Sequence, residues 1–326
     1  MKKVLVLVVS VLMLTGLVAC SNDKKNEVKG NSYQVGVGSY TTVSTMDYNK
    51  AEDKNGRVQY NTTYAVVIID SEDKIVSLTI DTAQNSALVE GNGVITVSED
   101  TRTKKEKGIE YNMVASSSIS KEWFEQVAAL EEDAIGKTVA EVLAVVSGEG
   151  DLETSVTIDI SDILMALEVA SANLVEVENV VSYGSSSVSE WKASSYSTET
   201  EKAGSAQINT TYAVVVLDAE GNIAYTAIDT AQFTSTVDAN GVITASTDLR
   251  TKKEKGADYN MAAASEIGKE WFEQIAALEA YAVGRTVKDM LATVSGEGDL
   301  EASVTINTSA YMTVIEKAVT EVITLQ

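Results

Sequence analysis

At 326 residues the chain is long enough for two domains of ordinary size, and its 44% apolar content can fill two cores. Forty-eight acidic residues against 25 basic ones leave a formal charge of −23, which argues against any nucleic-acid partner held through its phosphates. With no histidine and one cysteine, Cys20, the sequence excludes histidine triads, histidine-ligated zinc or haem, and Cys-x-x-Cys redox pairs.

Chemistry based on carboxylate, lysine, tyrosine or hydroxyl groups, or on a borrowed cofactor, stays open. In chain order the first element is an address. Met1-Lys2-Lys3 precedes an apolar run from Val4 to Ala19, which reads as a secretory signal peptide over residues 1–19. The run is too short to span a bilayer and ends in Leu17-Val18-Ala19-Cys20, a pattern resembling the lipobox of bacterial lipoproteins. Cys20 is therefore expected to carry the lipid that anchors the chain to the outer face of the cytoplasmic membrane. Residues 20–32 have no apolar period and read as a flexible tether.

The remainder is one unit written twice at an offset of 148. Residues 61–158 and 209–306 share 64 identities in 98 ungapped positions. The period is far longer than that of a solenoid, so the expectation is two tandem domains, 33–176 and 183–326, joined by a linker at 177–182. Tyr64–Ile69 and Ile75–Ile80 read as a hairpin, and Asn92-Gly93 and Asn240-Gly241 as turns leading into the short strands Val94–Val97 and Val242–Ala245. From Met113 to Ala134, and from Met261 to Ala282, apolar residues three or four apart predict an amphipathic helix. A shorter helix towards Val145, an extended piece Ser155–Ile158 and a last helix with Ser161 as N-cap complete the unit. Strands followed by helices give an α+β fold with a mainly antiparallel sheet.

Four features of the unit are candidates for chemistry. The run Arg102-Thr103-Lys104-Lys105-Glu106-Lys107, repeated around Lys252 and Lys253, either neutralises a phosphate or forms a solvated turn or first helical turn. Tyr111 with Trp123, and Tyr259 with Trp271, either wall a planar ring or belong to the core. Asp81 and Asp229 sit where polar residues are expected to end a strand. The fourth feature is Asp151-Leu152-Glu153-Thr154-Ser155-Val156-Thr157 and its counterpart from Asp299 through Ser303 to Thr305. Strand alternation buries Val156 and presents Thr157 outward, just before a helix whose free N–H groups favour an anion.

On the lipobox, the Lys-Lys-Glu-Lys-Gly, Tyr-Asn-Met and Lys-Glu-Trp-Phe-Glu-Gln stretches, and the Asp-Leu-x-x-Ser-Val-Thr motif, the chain resembles the FMN-binding-domain lipoproteins of Gram-positive bacteria. The resemblance implies FMN attached through its phosphate to Thr157 and Thr305 by a flavin transferase. It gives Asp151 and Asp299 as the leading acids of the motif, with Ser155-Val156 and Ser303-Val304 standing where the family has Gly-Ala. It also implies an electron carrier of extracellular electron transfer, supplied by a membrane donor, rather than an enzyme turning over a substrate. The alternative left by the residues themselves is a cofactor-free ligand-binding or envelope-structural lipoprotein.

Overall fold

A computed structural model describes residues 31–293 and 298–325. The signal peptide, Cys20 and the tether up to residue 30 lie outside the described residues. The first half opens with three long strands, β1 (Asn31–Met46), β2 (Gly56–Ile69) and β3 (Ile75–Val89), then a short β4 (Ile95–Val97). The helices α1 (Lys104–Lys107), α2 (Trp123–Ala134), α3 (Val139–Leu143) and α4 (Ser161–Ala172) follow, and β5 (Val175–Val180) ends the half. The second half repeats this order as β6 (Ser182–Ser194), β7 (Gly204–Leu217), β8 (Ile223–Val237), β9 (Ile243–Thr244), α5 (Lys252–Lys255), α6 (Trp271–Ala282), α7 (Val287–Leu291), α8 (Ser309–Ala318) and β10 (Ile323–Thr324). The fold is α+β, with two antiparallel five-stranded sheets ordered β4-β3-β2-β1-β5 and β10-β6-β7-β8-β9. Among the described residues no helix is long and apolar enough to cross a membrane.

Four expectations need correction. Residues 177–182 are not a linker: Val177 and Val180 are buried in β5, which pairs with the start of β1, and only Val181 separates β5 from β6. The last two tether residues, Asn31 and Ser32, belong to β1 for the same reason. The amphipathic helix starts at Trp123, not Met113. The Glu122 carboxylate accepts the Met113 and Val114 amides at 2.8 and 3.4 Å, holding residues 113–122 as an irregular loop, while Glu125 returns to the Glu122 amide and closes a capping box. The N-cap of the last helix is Ile160, not Ser161; Ser161 is the first helical residue, and the preceding Asp159 accepts its amide at 2.9 Å and its hydroxyl at 2.5 Å through Oδ1.

Each sheet buries both faces. On the outer face of the first, Ala65, Val67 and Ile80 meet Trp123, Val127 and Leu130 of α2 and Leu167 of α4. Close packing of α4 depends on Gly36, where an added Cβ would fall 2.3 Å from the Ala170 carbonyl oxygen. The inner faces pack on one another through two apolar clusters, one around Tyr60, Ile208 and Phe233 and one around Val66, Ile68, Val214 and Val216. Between these clusters the equivalent residues Tyr64 and Tyr212 stack with ring centroids 5.8 Å apart and planes 5° from parallel. Hydroxyl pairs surround them: Thr41 with Thr62 at 3.0 Å, and Ser189 with Thr210 at 2.9 Å. The result is four layers, helices outside and two sheets within.

Candidate functional site

The loop bearing Thr157 is built on buried anchors. Leu152 and Val156 enter the outer-face core, and Gly148, at φ +74°, donates its amide to the Val156 carbonyl at 2.7 Å. Gln126, on the apolar stripe of α2 and fully buried, then fixes the loop with one oxygen. Its Oε1 accepts the amides of Thr157 and Ile158 at 2.8 and 3.2 Å and the Thr157 hydroxyl at 3.3 Å. Its Nε2 donates to Ser117 Oγ and the Lys121 carbonyl. Gln274 repeats the arrangement with Thr305 and Ile306 at 2.9, 3.4 and 3.2 Å. Residues 155–158 pair with no strand, so alternation does not apply: Thr157 and Thr305 are half-buried, their hydroxyls turned to a glutamine instead of outward.

Ser155 and Ser303 are also half-buried. The backbones of Asp151 and Asp299 lie in single 3₁₀ turns, Gly150–Leu152 and Gly298–Leu300, and their side chains fall outside what is described. At the N-terminus of α4 the first amide is already taken by the Asp159 carboxylate, whereas at α8 the neutral Asn307 does the same work at 2.9 Å. An anion at the first helix meets a charge of its own sign; at the second it does not.

The basic run forms a helical turn in each half, α1 and α5, as one of the two expectations had it. Thr103 and Glu106 form a capping box that fixes α1. Lys105 Nζ is held by Glu131 at 2.5 Å, and the same carboxylate oxygen accepts the Ile80 amide at the open edge of β3. Lys253 and Glu279 do likewise at 2.5 Å. Lys105 and Lys253 are thus ion-paired rather than free cations. Lys104 differs: its ammonium lies 5.2 Å from the Tyr111 ring centre and 5.1 Å from that of Trp123, with no ion-pair partner among the described residues. Burial pulls its pKa down to about 8, against the opposing pull of Asp162 and Asp81. Lys252 sits likewise at 5.0 and 5.3 Å from Tyr259 and Trp271, and burial lowers it to about 8 as well.

Asp81 and Asp229 do not end strands; they lie within β3 and β8, 5% and 8% exposed. Asp81 Oδ1 accepts the amides of Thr82 at 2.7 Å and Lys105 at 3.1 Å, tying α1 to the sheet. Burial raises its pKa to about 6, partly offset by the hydrogen bonds from Thr103 and the backbone. Each carboxylate lines a cavity between the halves, about 610 Å³ beside Asp81 and about 420 Å³ beside Asp229.

The sequence reading missed the Tyr64–Tyr212 stack, Glu131 and Gln126. For Gln126 a signal existed, since it is a polar residue on the stripe defined by Trp123, Val127 and Leu130. No protein-family model, curated protein or solved structure matches the chain.

Proposed function

We propose that the protein is a surface lipoprotein, anchored through Cys20, whose two copies of one domain each carry FMN on a threonine, Thr157 and Thr305, and pass electrons from a membrane donor to acceptors outside. One observation carries the reading. In both halves the acceptor threonine is clamped by a glutamine one helical turn from a tryptophan, and that tryptophan shares an unpaired ammonium with a tyrosine.

The residues fit such a group. Gln126 Oε1 keeps two amide donors if the Thr157 hydroxyl is esterified, so the loop stays in place. Lys104 supplies positive charge that no salt bridge among the described residues takes up, and Tyr111 and Trp123 give the group aromatic walls. FMN, when bound, supplies one- and two-electron redox chemistry; the protein positions it and tunes its surroundings.

The test is the intact mass and visible absorbance of protein from a host containing the transferase. Two increments of FMN less water are expected. Thr157→Ala and Thr305→Ala should each remove one, and the double variant should be colourless. Colourless wild-type protein of peptide mass overturns the reading and favours the cofactor-free binding lipoprotein, for which the cavities between the halves speak.

A further inference from the structure

The two threonine sites are built alike but are not charged alike. The glutamine–threonine and lysine–ring contacts of the first half recur in the second with Gln274, Thr305, Lys252, Tyr259 and Trp271. The helix that follows each threonine differs. Asp159, next but one to Thr157, becomes Asn307, and Asp162, in the first turn of α4, becomes Ala310 on α8.

Both carboxylates bear on the first site. Asp159 accepts the Ser161 hydroxyl and amide, and these bonds hold its carboxyl below the usual carboxylate range, so it is ionised at neutral pH. Asp162 accepts the Thr42 hydroxyl at 3.0 Å. Burial lowers the pKa of Lys104, and of the two carboxylates that resist this Asp162 comes first and Asp81 second. Burial lowers Lys252 as well, but there Asp229, the equivalent of Asp81, resists alone. The ammonium of the first half is therefore the more neutralised of the two. The second half has carboxylates of its own, Glu190 at the position of Thr42 and Glu266 at that of Ser118, yet both are exposed, where water and salt screen them.

Reduction adds negative charge to a bound flavin; a neighbouring carboxylate opposes that, and an ammonium favours it. On the reading that Thr157 and Thr305 carry FMN, we propose that Asp159 and Asp162 make the first site the harder of the two to reduce, so that a half-reduced chain holds its electrons in the second half. Exchange between two like cofactors balances: the first half gives up two electrons and a proton, and the second takes up the same.

The experiment is a spectroelectrochemical titration at pH 7 of the full chain from a host containing the transferase, with Thr305→Ala to leave flavin on the first half alone and Thr157→Ala to leave it on the second. The midpoint of the first site is expected to be the lower, by enough to favour the second at least about tenfold, which is ~30 mV for a two-electron couple. Asp159→Asn and Asp162→Ala, which install the residues of the second half, should raise the first midpoint, and Ala310→Asp should lower the second. A further measurement needs no flavin. Competitive labelling of amines in colourless protein between pH 6 and 10 should show Asp162→Ala lowering the pKa of Lys104 and Ala310→Asp raising that of Lys252. Equal or reversed midpoints, or midpoints or lysines indifferent to these exchanges, overturn the proposal and leave the flavin reading standing. Wild-type protein that never carries flavin overturns both.

Discussion

The halves agree where helices cover the sheets and diverge where the sheets face each other. Around α1 and α2 the residues Arg102–Gly108 and Lys121–Gln126 recur unchanged 148 positions later, and so do the geometries they build. On β3, by contrast, Val76-Ser77-Leu78-Thr79 becomes Ala224-Tyr225-Thr226-Ala227 on β8. Ser77 and Thr79 both bond the Tyr183 hydroxyl at 2.8 Å, a tyrosine whose own equivalent is Val35. Tyr60 stacks on Phe233 at 5.3 Å, while their equivalents are Ile208 and Asn85. An outer face repeats because each helix must fit its own sheet. An inner face is a joint between two different surfaces and needs only to be complementary, so one side can gain a ring where the other gains a hydroxyl.

The strongest way to break the comparison is at an inner-face contact made by equivalent residues, Tyr64 and Tyr212. Tyr64→Ala or Tyr212→Ala should each cost about 3–5 kcal/mol in denaturant unfolding, with one cooperative transition in every variant. Two separate transitions would show that the halves fold alone.

Next comes pH. Asp81 titrates at about 6 in the folded chain instead of 3.8, so between those values the native state binds more protons than the unfolded one. Its contribution is fully present below about pH 4 and is lost as pH rises through 6, about 3 kcal/mol at most. Asp81→Asn should flatten that stretch of the stability profile in urea midpoints from pH 4 to 7, and an unchanged slope counts against it.

A smaller effect, equal in the two halves, is expected at the loops. Gln126→Ala and Gln274→Ala each strip the acceptor from two backbone amides, a loss of about 2 kcal/mol, with faster hydrogen exchange at Thr157 and Ile158 or at Thr305 and Ile306. The smallest sharpens a difference. Asp159→Asn should lower stability by about 0.5 kcal/mol and Asn307→Asp should raise it by a similar amount, through the charge at the helix N-terminus.

Much of this was legible in the sequence because it is local. The β2–β3 hairpin, the Asn92-Gly93 turn and the stripe of α2 follow from period and turn chemistry alone. What escaped depends on distant partners. Val175–Val180 buries only Val177 and Val180, three apart and with no period of two to announce a strand, and it pairs because β1 offers an edge. Lys104 and Lys105 are adjacent and alike, yet one meets two rings and the other Glu131, a separation that depends on how α1 lies on α2. The orientation of Thr157 follows from Gln126, 31 residues upstream.

The joint at Val181 sets a direction. Asn31 pairs with Val180, and Ser182 with Thr324, so the chain enters, crosses between halves and finishes at one pole of the molecule. β1 runs 16 residues from there, about 50 Å at strand rise, and on its far stretch Thr42 bonds Asp162 at the start of α4. The start of α4, and with it the Thr157 loop five residues before Asp162, therefore lies away from the pole where the halves join.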